Sequence, residues 1–271
     1  MNKDDVKRLA RRPGLIAGIY NYCDRWCERC PFTARCMNCA MQEEQRGDDG
    51  ANDVESTQFW DKLSDVFNVT LELLRESAAE HGIDIDNLDM TGVAEEEARA
   101  EQNAKKHPIA KAAMDYILMR DAWMKRAQEL FRQAEIDLQR EAELELPGSK
   151  PHLKAVQISD ALEVISWYHT MIYPKMMRAI QQDWGERDWE EENGFPKDSD
   201  GSAKVALISI DRSIGAWGIL RAHFPQEEDS VLDILVHLER LRKAIEKAFP
   251  DARAFQRPGF DYIPENGGEP A

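Results

Sequence analysis

The sequence predicts an all-α fold: an antiparallel bundle of about five long helices behind an N-terminal Cys-rich metal-binding segment. Three observations carry this reading. Apolar residues recur at intervals of three and four over several long stretches, which is the helical period. No stretch shows the alternation of period two that a half-buried strand requires. Polar segments containing Pro or Gly stop the periodic runs, and long amphipathic helices joined this way bury their stripes against one another.

In chain order, residues 1–16 read as a polar, basic arm leading into the Cys segment, 17–41, and then a solvated linker, 42–52. Ser56 caps a helix running to about residue 80, where His81-Gly82 closes it. Its apolar positions Phe59, Leu63, Val66, Phe67, Leu71 and Leu74 keep helical spacing. Residues 83–93 break the pattern, and 94–106 form a charged, weakly amphipathic helix. His107-Pro108 opens a helix to about residue 144 with Ile109, Ala113, Tyr116, Ile117, Trp123, Ala127, Leu130, Ala134 and Leu138 inward, stopped by Pro147-Gly148-Ser149. Further helices are read over about 155–183, 202–223 and 227–248. An acidic loop with Trp184, Trp189 and Phe195 lies between the first two, offering a surface to a protein partner. A Pro/Gly-rich tail, 250–271, reads as extended. The division is therefore 1–52, 53–249 and 250–271.

Charge narrows the partners. The 271 residues carry 35 Lys+Arg against 51 Asp+Glu, a net charge of −16. Nucleic acid and anionic membranes are poor partners for so acidic a chain. No apolar run approaches the ~20 residues of a membrane span, and the charged start has no secretory h-region, so the expected location is the cytoplasm.

All five cysteines lie between Cys23 and Cys39, spaced Cys-x3-Cys-x2-Cys-x5-Cys-x2-Cys. In a reducing compartment such crowding points to metal ligands, and an odd count speaks against disulfides alone. On a helix, Cys23, Cys27 and Cys30 fall at i, i+4 and i+7 and share one face. Pro31 turns the chain, so that Cys36 or Cys39 returns as a fourth thiolate. Soft thiolates suit an iron–sulfur cluster, here 4Fe–4S, or zinc. The uneven spacing and the Cys-Pro step favour the cluster, held by Cys23, Cys27, Cys30 and Cys36, with Cys39 as substitute. The two Cys-x2-Cys pairs, Cys27/Cys30 and Cys36/Cys39, keep zinc open. Arg25, Arg29 and Arg35 stand among the ligands, where they can offset the negative charge of a four-thiolate site. The first spacing is also that of radical S-adenosylmethionine enzymes, but that motif sits in an α/β barrel and no strands are read here.

A second, separate site is read inside the bundle. Arg120, His169 and Asp211 each interrupt an apolar stripe, one per helix, and buried ionisable groups must pair or shift their pKa values. Together they form a candidate small-molecule or catalytic pocket, with Arg120 as anion anchor and His169 as acid or base. Gly215 and Gly218 point to close approach by a neighbouring backbone. A carboxylate-bridged di-iron centre is not supported, because the chain has no Glu-x-x-His. The resulting expectation is a cytoplasmic metalloprotein acting in electron transfer or through a protein partner. The alternative is a bundle enzyme or small-molecule binder with a structural zinc.

Overall fold

A computed structural model describes residues 2–44, 54–145, 147–183 and 197–262. Among them are nine α-helices and no strand, so the all-α class holds, with more helices than the five read from periodicity. The loop aromatics Trp184, Trp189 and Phe195 and most of the 42–52 linker lie outside the described residues. The chain divides into two compact units, residues 97–255 and residues 1–96 with the segment from 256 onward. No helix among the described residues is long and apolar enough to cross a membrane.

In the larger unit, α4 (Val93–Lys106) leads into α5 (Pro108–Arg126), α6 (Gln128–Glu143), α7 (Pro151–Asp183), α8 (Asp198–His223) and α9 (Glu228–Ala248). His107 caps α5 through its ring, Nδ1 accepting from the Ile109 N–H at 3.3 Å, and Pro108 fits the first turn, where its missing N–H costs nothing. The helix read as continuous over 107–144 breaks at Ala127 (φ −79°, ψ −2°). The break has a packing consequence. Trp123 and Phe131 are eight residues apart, about 12 Å of rise in a straight helix, yet their ring centroids stand 5.7 Å apart. Two further starts fall four residues earlier than read, at Pro151 and at Asp198; Asp198 and Asp200 occupy the first turn of α8, where the helix dipole favours negative charge.

The most extensive pairing is α7 with α8; α9 packs on α8 and α5, and α5 and α6 pack on α7. Their shared core holds Trp217, Trp123, Tyr116, Ile165, Ile172 and Met176, all essentially inaccessible to solvent. Trp217 meets Trp123 edge to face at 4.9 Å and donates its Nε1–H to the Tyr116 hydroxyl at 3.1 Å. Gly215 and Gly218 do not serve close approach. Both sit on the exposed side of α8, and a Cβ on either would meet nothing within 4 Å. Each therefore carries only the entropic cost of glycine in a helix. Gly215→Ala and Gly218→Ala are each expected to raise stability by about 1 kcal/mol, read as an increased urea midpoint at unchanged slope.

The smaller unit contains α1 (Lys3–Ala10), α2 (Met37–Glu44) and α3 (Thr57–Glu80). The polar, basic arm is helical over Lys3–Ala10 because Asn2 and Asp5 form a reciprocal capping box and Leu9 finds a buried position. Arg8 reaches Glu44 of α2 at 3.2 Å, while Lys3, at 3.2 Å, and Lys7 both bind Glu76 of α3. Ser56 caps α3 as read, its hydroxyl accepting from the Phe59 N–H at 3.2 Å. Nor is the described part of the tail extended. Residues 258–262 turn back and pack on the Cys segment, with Gly259 at φ +79° so close to Ile19 that a Cβ would lie 2.7 Å from its Cδ1. Only glycine fits there.

Candidate functional site

The Cys segment is not a helix across Cys23–Cys30, and the shared helical face does not form. Residues 17–23 are turns and bends and 24–26 are irregular, followed by two three-residue 3₁₀ turns, Cys27–Arg29 and Thr33–Arg35, before α2 begins at Met37. Local chemistry explains the departure. Gly18 adopts φ +69° and Arg25 φ +55°, values that no right-handed helix contains. The Asp24 carboxylate accepts from the Trp26 N–H at 3.3 Å, a side-chain bond that competes with the helical ladder. The Cys27 N–H bonds the Arg25 carbonyl at 3.0 Å, closing an inverse γ-turn around Trp26 (φ −84°, ψ 72°).

The two 3₁₀ turns are built alike. Each ends on a cysteine in extended conformation: the Cys30 N–H bonds the Cys27 carbonyl at 3.2 Å, and the Cys36 N–H bonds the Thr33 carbonyl at 3.2 Å. The second turn is anchored by Arg35, whose carbonyl accepts from the Ile16 N–H and whose Nε donates to the Gly14 carbonyl, both at 2.9 Å. A small core of Ile16, Ile19 and Cys36, flanked by Phe32, Cys39 and Phe260, holds these turns together. Phe32 and Phe260 meet edge to face at 5.3 Å.

By this route, rather than by one helix face, all five thiols come to line a single small pocket, open to solvent. Its wall is completed by Ile19, Tyr20, Asp24, Arg25, Trp26, Asn38 and Phe260. All five cysteines are free thiols. Backbone N–H groups two residues on reach two of the sulfurs: Phe32 donates to the Cys30 Sγ at 3.4 Å, and Arg25 donates to that of Cys23. Such bonds favour the thiolate, but burial works against them and wins. Burial pushes the Cys23 and Cys30 thiols above the usual range, Asp24 adding to the effect. Cys39 is pushed up to about 12, first by burial and then by hydrogen bonding to Cys27 and Cys36. These three thiols are therefore protonated at neutral pH, and a metal binding to them must displace their protons. As the side chains stand, no group of three or more His, Cys, Asp or Glu among the described residues is arranged around one ion.

The three arginines divide. Arg25 lines the cavity, Arg29 lies over the Trp26 ring at 4.1 Å, and Arg35 is committed to Gly14. Sequence periodicity missed Trp26, Asn38 and Phe260 as wall residues. Phe260 had no local signal at all, since its role depends on a turn more than two hundred residues away.

The interior triad assembles only in part. Arg120 donates to Ser166 Oγ at 2.9 Å and to Asp121 at 2.8 Å, and His169 Nδ1 bonds the Ser166 carbonyl at 2.8 Å. Asp211 is bound elsewhere, to Arg253 at 2.6 Å and Arg242 at 3.2 Å, and its side chain is 36% exposed. The pocket read from three interrupted stripes is thus an Arg120–Ser166–His169 group without its carboxylate. His237 on α9 bonds the Ala112 carbonyl of α5 through Nε2 at 2.8 Å.

Burial and the Arg120 charge lower the pKa of His169. The unfolded chain therefore binds this proton more readily than the folded one. His169 contributes stability that is present above an unfolded pKa of about 6.5 and lost as pH falls through the lower folded value. His169→Gln is expected to flatten this part of the dependence when urea midpoints are compared between pH 8 and pH 5. An unchanged slope would show that the ring titrates alike in both states.

No protein-family model, curated protein or solved structure matches the chain.

Proposed function

We propose that the chain is a metalloprotein whose Cys segment holds a 4Fe–4S cluster through Cys23, Cys27, Cys30 and Cys36, with Cys39 in reserve, and that it acts in electron transfer or through a protein partner. One observation carries the proposal: five reduced thiols from separate turns line a single cavity. The chemistry of the wall supports this reading. Cys23 and Cys30 each accept a backbone N–H, a bond that tunes cluster-bound sulfur, and Arg25 lies on the wall of a site that gains negative charge with each thiolate. Ile19, Trp26 and Phe260 supply the apolar boundary that limits water. The cluster would supply one-electron chemistry; the chain would bind it, tune it and shield it. Five free thiols persist in a reducing compartment, which favours the cytoplasm.

Zinc is the second reading, and a different observation favours it. Cys39 lies within hydrogen-bonding reach of Cys27 and Cys36, and together with Cys30 these would make a compact tetrahedral set. Purification without oxygen, followed by absorption and electron paramagnetic resonance spectra before and after reduction, separates the two. A brown protein that bleaches on reduction supports the cluster. A colourless protein holding one zinc, unaffected by Cys23→Ser, supports the second reading and overturns the first.

A further inference from the structure

Helix α3 buries no residue completely, although eleven of its 24 positions are Val, Leu, Phe, Trp or Ala. Its polar edge is occupied, since Glu76 binds Lys3 and Lys7 of α1. A long apolar stripe remains open: Trp60 is 58% exposed, Phe67 61%, Leu71 45% and Leu74 52%. These residues keep the alternating spacing of a coiled-coil seam, with Trp60, Phe67 and Leu74 at one core position and Ser64, Leu71 and Ala78 at the other.

We propose that this stripe pairs with the same stripe of a second copy, antiparallel. Side-chain size selects the orientation. Antiparallel layers set Trp60 against Ala78 of the partner subunit, Leu74 against Ser64 of the partner subunit, and Phe67 against Leu71 of the partner subunit. Large thus meets small in the outer layers, the pattern that fills a core without voids or clashes. A parallel pair would stack Trp60 on its own copy and leave Ser64 facing its own copy across a gap. Charge selects the same orientation. Asp61 and Arg75 flank the seam at equivalent positions two heptads apart, so only the antiparallel pair brings each Asp61 beside Arg75 of the partner subunit. Arg75 now binds Asp86 at 3.0 Å on the open surface, with both side chains more than half exposed, and such a pair exchanges at little cost.

Sedimentation equilibrium of the full chain tests the pairing. A dimer is expected, and Phe67→Asp should raise its dissociation constant at least about thirtyfold, the effect of losing a central anchor. Asp61→Arg should weaken it severalfold, and adding Arg75→Asp should restore it. A nitroxide carried on a non-canonical residue at Gln58 should report a separation of roughly 30 Å or more within the dimer, because the two positions lie at opposite ends. A monomer, or a dimer indifferent to Phe67→Asp, would overturn the proposal. A failed charge swap, or a Gln58 separation near the roughly 10 Å between packed axes, would overturn the antiparallel arrangement.

Discussion

Cys36→Ser is expected to abolish metal binding while leaving the bundle folded. Cys36 is the buried cysteine of the five, packed with Ile16 and Ile19 and placed at the end of the second 3₁₀ turn. Its sulfur therefore cannot be replaced by a neighbour without rebuilding the small core. Metal occupancy after anaerobic reconstitution should fall to less than about a tenth of the wild-type value, because one missing thiolate removes both a bond and the folding energy coupled to it. Cys39→Ser, at the first turn of α2, should reduce occupancy by much less if Cys39 is the reserve. The helical circular dichroism should persist in both variants, since α5 to α9 belong to the other unit. Equal losses for the two variants would instead favour the zinc set, in which both are ligands.

Trp217→Ala should destabilise the bundle by about 3–5 kcal/mol, the range for deleting a large aromatic side chain from a packed core. Its ring is fully buried, meets Trp123 at 4.9 Å, and gives Tyr116 its indole hydrogen bond. The substitution removes the volume and leaves the Tyr116 hydroxyl without that donor. Trp217→Phe keeps most of the volume and isolates the cost of the lost N–H. Urea unfolding followed by helical circular dichroism reads both. A loss below about 1 kcal/mol for the alanine variant would mean that the core around α8 can collapse onto the gap.

What the sequence made legible was what short-range periodicity and capping control. Ser56, His107 and the Pro147–Ser149 stop mark their helix boundaries because each acts on backbone groups within a few residues. The gathering of five thiols was legible from spacing alone, but the path that gathers them was not. A helical wheel placed Cys23, Cys27 and Cys30 on one face, whereas the Asp24 side-chain bond and the positive φ of Arg25 redirect the chain between them. Periodicity counts positions and is blind to that competition. Asp211 failed as a pocket residue for a longer-range reason. With Ile208 and Ile214 it lies on a half-buried row of α8 rather than on the buried face, and Arg242 and Arg253 reach it from later in the chain and hold it at the surface. The reading of Gly215 and Gly218 failed likewise, since the sequence shows a missing side chain without showing whether a neighbour or open space lies beyond it. The stripe of α3 was visible as amphipathic spacing, but its lack of cover is a tertiary fact.

The most direct test of the cluster is a count. Iron, acid-labile sulfide and zinc should be quantified per chain on protein purified without oxygen. The cluster predicts about four iron and four sulfide per chain, with little zinc. One zinc per chain without iron or sulfide, or no metal at all in a folded protein, would contradict it.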